Sequence, residues 1–204
     1  MNNISVRQKH QLRFLDDIYE ISFKCSTKTY IWGGLVMDIL AGRFLREHKD
    51  IDCFTLNLLD CKGDIDDMFK EGGYTTEFST DIDMFKIHKD GYVAAFNRLE
   101  FNGETAMWRH IGNEGTLFFP RIWLEETPRD FYNTHALISG IKFEYCIKAK
   151  VELLSPVWKL REKDTEALEY YTKSLVEKNV SLENLLQSVW SENPYWRKIG
   201  YKEY

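Results

Sequence analysis

Residues 31–54 read IWGGLVMDILAGRFLREHKDIDCF, and this stretch decides how the chain is built. Tyr30, Ile31 and Trp32 form a short β segment that runs directly into Gly33-Gly34. A helix over about Leu35–Ala41 follows, and Gly42 suits its C-terminal cap. A basic link from Arg43 to Lys49 then leads into Asp50-Ile51-Asp52-Cys53-Phe54-Thr55-Leu56, whose pattern is that of a strand. Fifteen residues separate Gly34 from Asp50, and they hold one helix and one link, so the glycine turn can lie beside the aspartates.

The order of these parts has a chemical meaning. A helix that opens on a glycine pair presents unpaired backbone N–H groups and the positive end of its dipole, which favour an anion such as a triphosphate. Glycine also lets the backbone come close to that anion. On a strand, residues i and i+2 share a face, so Asp50 and Asp52 aim both carboxylates the same way while Ile51 and Cys53 turn into the core. Hard oxygen donors of this kind suit Mg²⁺, which takes one or two carboxylates together with substrate phosphates. Two such ions at about 4 Å separation activate an attacking oxygen and stabilise a leaving pyrophosphate. Each part alone has a bland reading: a glycine pair is usually a turn, Asp-x-Asp is usually edge polarity, and a basic run is usually a solvated loop. Their conjunction in this order carries the assignment.

Outward from this segment, Val6–Lys24 carries apolar residues at Leu12, Leu15, Ile18, Tyr19 and Phe23, a helical spacing. Asp64–Lys70 reads as a helix stopped by Gly72-Gly73. The middle of the chain is rich in strands: Tyr74–Phe78, Met84–His88, Tyr92–Phe101, Glu104–Trp108 and Thr116–Trp123. Turns are expected at Asp90-Gly91, Asn102-Gly103 and Asn113-Glu114-Gly115. One more strand is expected within Ile138–Ile147. From Ala149 the pattern becomes helical, over Lys150–Leu160 with a break at Ser155-Pro156, over Lys163–Val176, and over Ser181–Val189 with Ser181 as N-cap. The fold class is α+β, a mixed sheet flanked by helices, with residues 1–145 as the α+β domain and residues 146–204 as a helical C-terminal region packed on it.

Composition narrows the function classes. The 204 residues carry a net charge of −5 and show no dense Lys/Arg cluster, which disfavours nucleic acid as partner and favours a cationic small molecule. With no leader-like start and no long apolar run, a cytoplasmic protein without membrane spans is expected. The widely spaced Cys25, Cys53, Cys61 and Cys146 read as free thiols rather than a zinc or disulfide framework. Trp108, Phe118, Phe119, Trp123, Phe131 and Tyr132 read as core residues ahead of an acceptor-pocket wall.

The segment resembles the nucleotidyltransferase superfamily typified by DNA polymerase beta, whose hallmark is a Gly-Gly or Gly-Ser turn followed by an Asp-x-Asp or Asp-x-Glu strand. More narrowly, Gly33-Gly34, Asp38, Gly42-Arg43, Arg46, His48 and Asp50-Ile51-Asp52 are similar to the aminoglycoside and lincosamide nucleotidyltransferases. The resemblance implies Mg²⁺, with two ions, and a nucleoside triphosphate, ATP in most members, as co-substrate. It implies transfer of a nucleoside monophosphate to a hydroxyl of a small acceptor, with a protein or RNA hydroxyl, or nucleotide binding without catalysis, as the alternatives. Carried onto this chain, Asp50 and Asp52 become metal ligands, Gly33 and Gly34 hold phosphates, and Arg46 contacts phosphate. Asp38 and His48 stand equally as site residues or as local contacts. The family's third carboxylate, a metal ligand or the base for the acceptor hydroxyl, is best matched by Glu100, a glutamate where aspartate is commoner; Glu104 is the fallback. Lys163, in the Lys163-Asp164 pair, is a candidate phosphate contact from the tail.

Overall fold

The computed structural model describes residues 4–79, 84–109, 115–150 and 159–191. The chain divides into two compact units, Met1–Arg98 with Glu125–Ile138, and Leu99–Leu124 with Ser139–Tyr204. No helix among the described residues is long and apolar enough to cross a membrane.

The first unit holds helices α1 (Val6–Lys24), α2 (Gly34–Ala41) and α3 (Leu58–Glu71) on a sheet of β1 (Thr29–Trp32), β2 (Asp50–Leu56), β3 (Thr75–Ser79), β4 (Met84–Lys89), the first part of β5 (Tyr92–Asn102), β8 (Arg129–Phe131) and β9 (Thr134–Ile138). The strand order is β3-β4-β5-β2-β1-β9-β8. β1 runs antiparallel to β2 but parallel to β9, so the sheet is mixed. Its core joins Phe14, Leu15 and Ile18 of α1, Leu35, Val36 and Ile39 of α2, and Ile65 and Phe69 of α3 to Ile31, Ile51, Cys53, Ala94 and Phe96 of the strands.

Local chemistry accounts for the helix ends. Ser5 Oγ accepts from Gln8 N, and Gln8 Oε1 accepts from Ser5 N, so α1 opens on a reciprocal capping box. Gly42 closes α2 with φ 66°, a left-handed cap. The expected α1 face is off by part of a turn: Phe14, Leu15, Ile18 and Ile21 face inward, and Phe23 is 77% exposed. Helix α3 starts at Leu58, six residues earlier than expected. Leu58, Ile65 and Phe69 set its buried stripe, and the exposed Gly63 lies within it.

The second unit contains the end of β5, β6 (Thr105–Arg109), β7 (Thr116–Pro120), a 3-10 turn (Arg121–Trp123), α4 (Ile141–Ala149), α5 (Glu162–Glu177), α6 (Leu182–Gln187) and β10 (Trp190–Ser191). Its strands pair antiparallel in the order β5-β6-β7-β10. The strand expected through Trp123 ends at Pro120, which opens the 3-10 turn. The strand expected over Ile138–Ile147 is replaced by the end of β9 and by α4. Phe143, Glu144, Tyr145, Cys146 and Ile147 are buried in succession, and a helix covered on most sides shows no helical period in its sequence. The hairpin β8–β9 went unpredicted because Tyr132 and Asn133 turn it at φ 51° and 67° without a glycine. Residues 113–114 of one expected turn and residues 151–158 of one expected helix lie outside the described residues.

A buried polar cluster ties α4 to α5. Asp164 accepts from Lys148 Nζ at 2.8 Å and from Arg161 Nε at 2.6 Å. Burial opposes its charge, but these two cations outweigh that and hold its pKa well below the usual carboxylate range. Lys150 donates from its buried ammonium to the carbonyls of Leu186 and Val189, and burial lowers its pKa to about 8. All four cysteines are free thiols, and burial pushes Cys146 up to about 12 and Cys53 well above its ordinary value. Trp108, Phe118, Phe119, Trp123 and Phe131 are buried, and Tyr132 is half-buried against Phe44.

Candidate active site

Four short elements of the first unit converge at one point. β1 pairs with β2 in a register that sets Ile31 opposite Cys53 and Trp32 opposite Asp52. Because Ile31, Ile51 and Cys53 enter the core, Trp32 and Asp52 emerge on the other face, where Trp32 stacks on Phe54 with ring centroids 5.0 Å apart. Asp50 shares that face two residues earlier. It is exposed and Asp52 is half-buried.

After Trp32 the chain bends at Gly33, whose φ of 82° and ψ of −147° lie in a region reserved for glycine. A Cβ on Gly33 would stand 3.0 Å from Asp52 Oδ2, so the carboxylate rests against the bend. A Cβ on Gly34 would stand 2.1 Å from Arg46 Nη2 and 3.2 Å from the His48 ring. A side chain on either glycine would meet a named polar group, the Asp52 carboxylate at Gly33 and the far end of the Arg46 side chain at Gly34. Helix α2 begins at Gly34 with no side-chain hydrogen bond capping its first turn.

Arg46 Nη1 reaches only its neighbour's carbonyl, Glu47 O, at 3.3 Å, and its buried Nε has no hydrogen-bond partner among the described residues. A guanidinium left so incompletely bonded favours an incoming anion. The turn, the Asp52 carboxylate and the Arg46 cation therefore form a cradle whose mixed charge suits a polyphosphate paired with a divalent cation. The donor set agrees with that pairing, because Mg²⁺ accepts one or two carboxylates and completes its shell with phosphate oxygens and water. No group of three His, Cys, Asp or Glu side chains able to hold a metal ion occurs among the described residues.

Asp38 and His48, left open by the sequence, are bonded to each other. Their Oδ2 and Nε2 atoms are 2.9 Å apart, with Asp38 0% and His48 4% exposed. Ten residues of separation hid this contact. Trp32, opposite Asp52, was also missed; an aromatic residue just before a glycine pair was the available signal. Glu100 and Lys163 fall in the second unit. Glu100 accepts from Arg109 Nε at 3.1 Å, and Lys163 is exposed on the first turn of α5, next to the buried Asp164. The part of β5 in the first unit, Tyr92–Arg98, carries no acid, and Asn97 there donates to Cys53 O at 3.2 Å. A groove of about 980 Å³ opens at the far end of β1 and β2, among Tyr19, Cys25, Thr29, Leu56, Cys61 and Asp64. The cradle lies at the other end of those strands.

A mixed sheet in which a glycine bend opens a helix beside an acidic strand is the arrangement of the nucleotidyltransferases, and the family match assigns the chain to that class. Residues 14–119, more than half of the chain, match the aminoglycoside-2''-adenylyltransferase family, and the chain belongs to that family. No curated protein sequence matches it. The fold is shared with the antibiotic-resistance factor ANT(2'')-Ia, solved in solution, at 17% identity over 87% of this chain and 90% of that chain, TM-score 0.63. ANT(2'')-Ia in complex with adenylyl-2''-tobramycin gives 17% identity, 87% and 95% coverage and TM-score 0.64. The lincosamide antibiotic adenylyltransferase LnuA, bound to lincomycin, gives 17% identity, 84% and 98% coverage and TM-score 0.57.

Proposed function

We propose that this enzyme transfers AMP from ATP, with Mg²⁺, to a hydroxyl of a small acceptor of the aminoglycoside or lincosamide kind. The observation that carries this reading is the convergence of Asp52 and Arg46 on two successive glycines at a helix start. Asp50 and Asp52 would hold the metal, and Gly33, Gly34 and Arg46 would seat the phosphates. The acceptor oxygen bonds to the α-phosphorus, the bond from that phosphorus to pyrophosphate breaks, and the hydroxyl proton passes to a base. Bound Mg²⁺ makes the acceptor hydroxyl more acidic and offsets charge on the departing pyrophosphate. Arg46 contributes a fixed positive charge beside the phosphates, and that stabilises charge spreading onto the oxygens during transfer. Glu100 is the carboxylate assigned to the acceptor proton, and Lys163 a further phosphate contact; both rest on the family pattern. The acidic net charge of −5 favours the approach of a cationic acceptor. The names of ANT(2'')-Ia and LnuA, with tobramycin and lincomycin as their bound chemistry, support the choice of acceptor class.

The test is pyrophosphate release with Mg²⁺-ATP against a panel of aminoglycosides, lincosamides and sugar alcohols. Release is expected to need both the metal and an acceptor. Asp50→Asn and Asp52→Asn are each expected to lower it by at least ~10³-fold without unfolding the chain, since both are needed to hold the metal. Glu100→Gln is expected to lower kcat and leave nucleotide binding intact. Full turnover in both aspartate variants, or nucleotide binding with no turnover on any acceptor, would remove the proposal.

A further inference from the structure

We infer that His48 is a positioning residue of the phosphate cradle, held by Asp38 and acting through Arg46; the inference rests on the cradle being a polyphosphate seat. Its imidazole packs against Gly34, with Cε1 and Nδ1 each 3.2 Å from where a Cβ would be, in the same space that brings Arg46 Nη2 to 2.1 Å. Arg46 and His48 are two residues apart, so the placement of the ring fixes the backbone that delivers the guanidinium. Three contacts outside the loop hold that backbone. Asp38 of α2 binds His48 Nε2 at 2.9 Å, Gln11 Nε2 of α1 donates to His48 O at 2.7 Å, and Arg7 of α1 binds Glu47 at 3.1 Å.

The buried pair is a poor device for stability alone. Asp38 Oδ1 is buried with no hydrogen-bond partner among the described residues, and the carboxylate is fully removed from solvent. Removing a carboxylate from water costs more than one hydrogen bond returns, and buried ion pairs are often replaced by apolar residues without loss. What the pair does supply is direction. The 2.9 Å contact between Nε2 and Asp38 Oδ2 ties one edge of the ring to α2 and sets its Nδ1 and Cε1 atoms on Gly34. Asp38 lies on the helix whose first residue is Gly34, so the element that carries the turn also holds the ring.

The probe is inorganic tripolyphosphate with Mg²⁺, which needs no nucleobase, titrated calorimetrically into the intact chain. His48→Gln keeps a donor for Asp38 but removes the ring. It is expected to weaken binding about tenfold, the size of one lost charge-assisted contact, while shifting the thermal midpoint by less than ~5 °C. In an Arg46→Ala background the same substitution is expected to change affinity by less than about twofold, because the group it positions is gone. A second pair of variants covers a failure to fold. Asp38→Asn, which keeps an oxygen for Nε2, is expected to retain binding within about threefold, and Asp38→Leu, which fills the volume without an acceptor, to lose it. Unchanged binding in His48→Gln, an equal loss in both backgrounds, or full binding in Asp38→Leu would overturn the inference. Failure of the unsubstituted chain to bind tripolyphosphate would instead strike the seat itself, and the two outcomes are told apart by which protein fails.

Discussion

At the scale of single residues, the two glycines are not interchangeable, although the sequence shows them as a pair. Gly33 is held at φ 82° and faces Asp52 Oδ2, so an alanine there is strained in backbone and crowded against an acid. Gly33→Ala is expected to cost about 1–3 kcal/mol in urea denaturation and to abolish transfer. Gly34 has no such backbone demand, and what a Cβ meets is the far end of a flexible side chain, Arg46 Nη2. Gly34→Ala is therefore expected to fold with near-normal stability and to lose polyphosphate affinity by displacing the guanidinium. Equal destabilisation in both variants would show that Arg46 is not the neighbour that matters at Gly34. The shared face of Asp50 and Asp52 was legible because side-chain alternation along a strand is strict, and the helix start at Gly33-Gly34 because the glycine pair directly follows a β segment. The Asp38–His48 bond was not, since nothing local to either residue names a partner ten positions away.

Among the elements, α4 and α5 show two adjacent residues in different surroundings. In Lys163-Asp164 the lysine attracts attention as a phosphate ligand, but the aspartate carries the packing. It sits 1% exposed between Lys148 and Arg161, and it also accepts from the Arg161 backbone N–H at the start of α5. Because its folded pKa is depressed, the unfolded chain binds more protons below the ordinary carboxylate range near pH 4. The stability from this group is thus complete above that range, starts to be lost as the pH falls through it, and goes on being lost down through the depressed folded value. Asp164→Asn is expected to lose on the order of 2–3 kcal/mol at pH 7, and the gap to the parent protein should narrow on acidification. A gap that stays constant from pH 7 to about pH 3 would mean that the ion pairs contribute nothing. The β8–β9 hairpin makes the complementary point. Its turn residues, Tyr132 and Asn133, take up left-handed backbone because the flanking strands force it, and tyrosine carries no cue for that conformation.

For the molecule as a whole, nucleotide binding is expected to mark one of the two units first. In hydrogen exchange with Mg²⁺-ATP, amides of residues 31–36 and 46–53 should slow most, because a ligand held by the cradle suppresses local opening there. Uniform slowing through the chain, or slowing confined to the groove near Cys25 and Cys61, would place the nucleotide elsewhere. Glu100 and Lys163 were carried over from the family resemblance, and both belong to the second unit.

The sequence by itself determined the fold class, the order of bend, helix and acidic strand, and the face that Asp50 and Asp52 share. These follow from local rules: side-chain alternation on a strand, glycine at a helix start, and the spacing of apolar residues. Only the tertiary structure decided that Trp32 stands opposite Asp52, that Asp38 grips His48, that β9 joins β1 in parallel, and that residues 141–149 form a helix rather than a strand. Those outcomes depend on which distant surfaces cover one another, and burial and long-range pairing have no signature within any one stretch of chain.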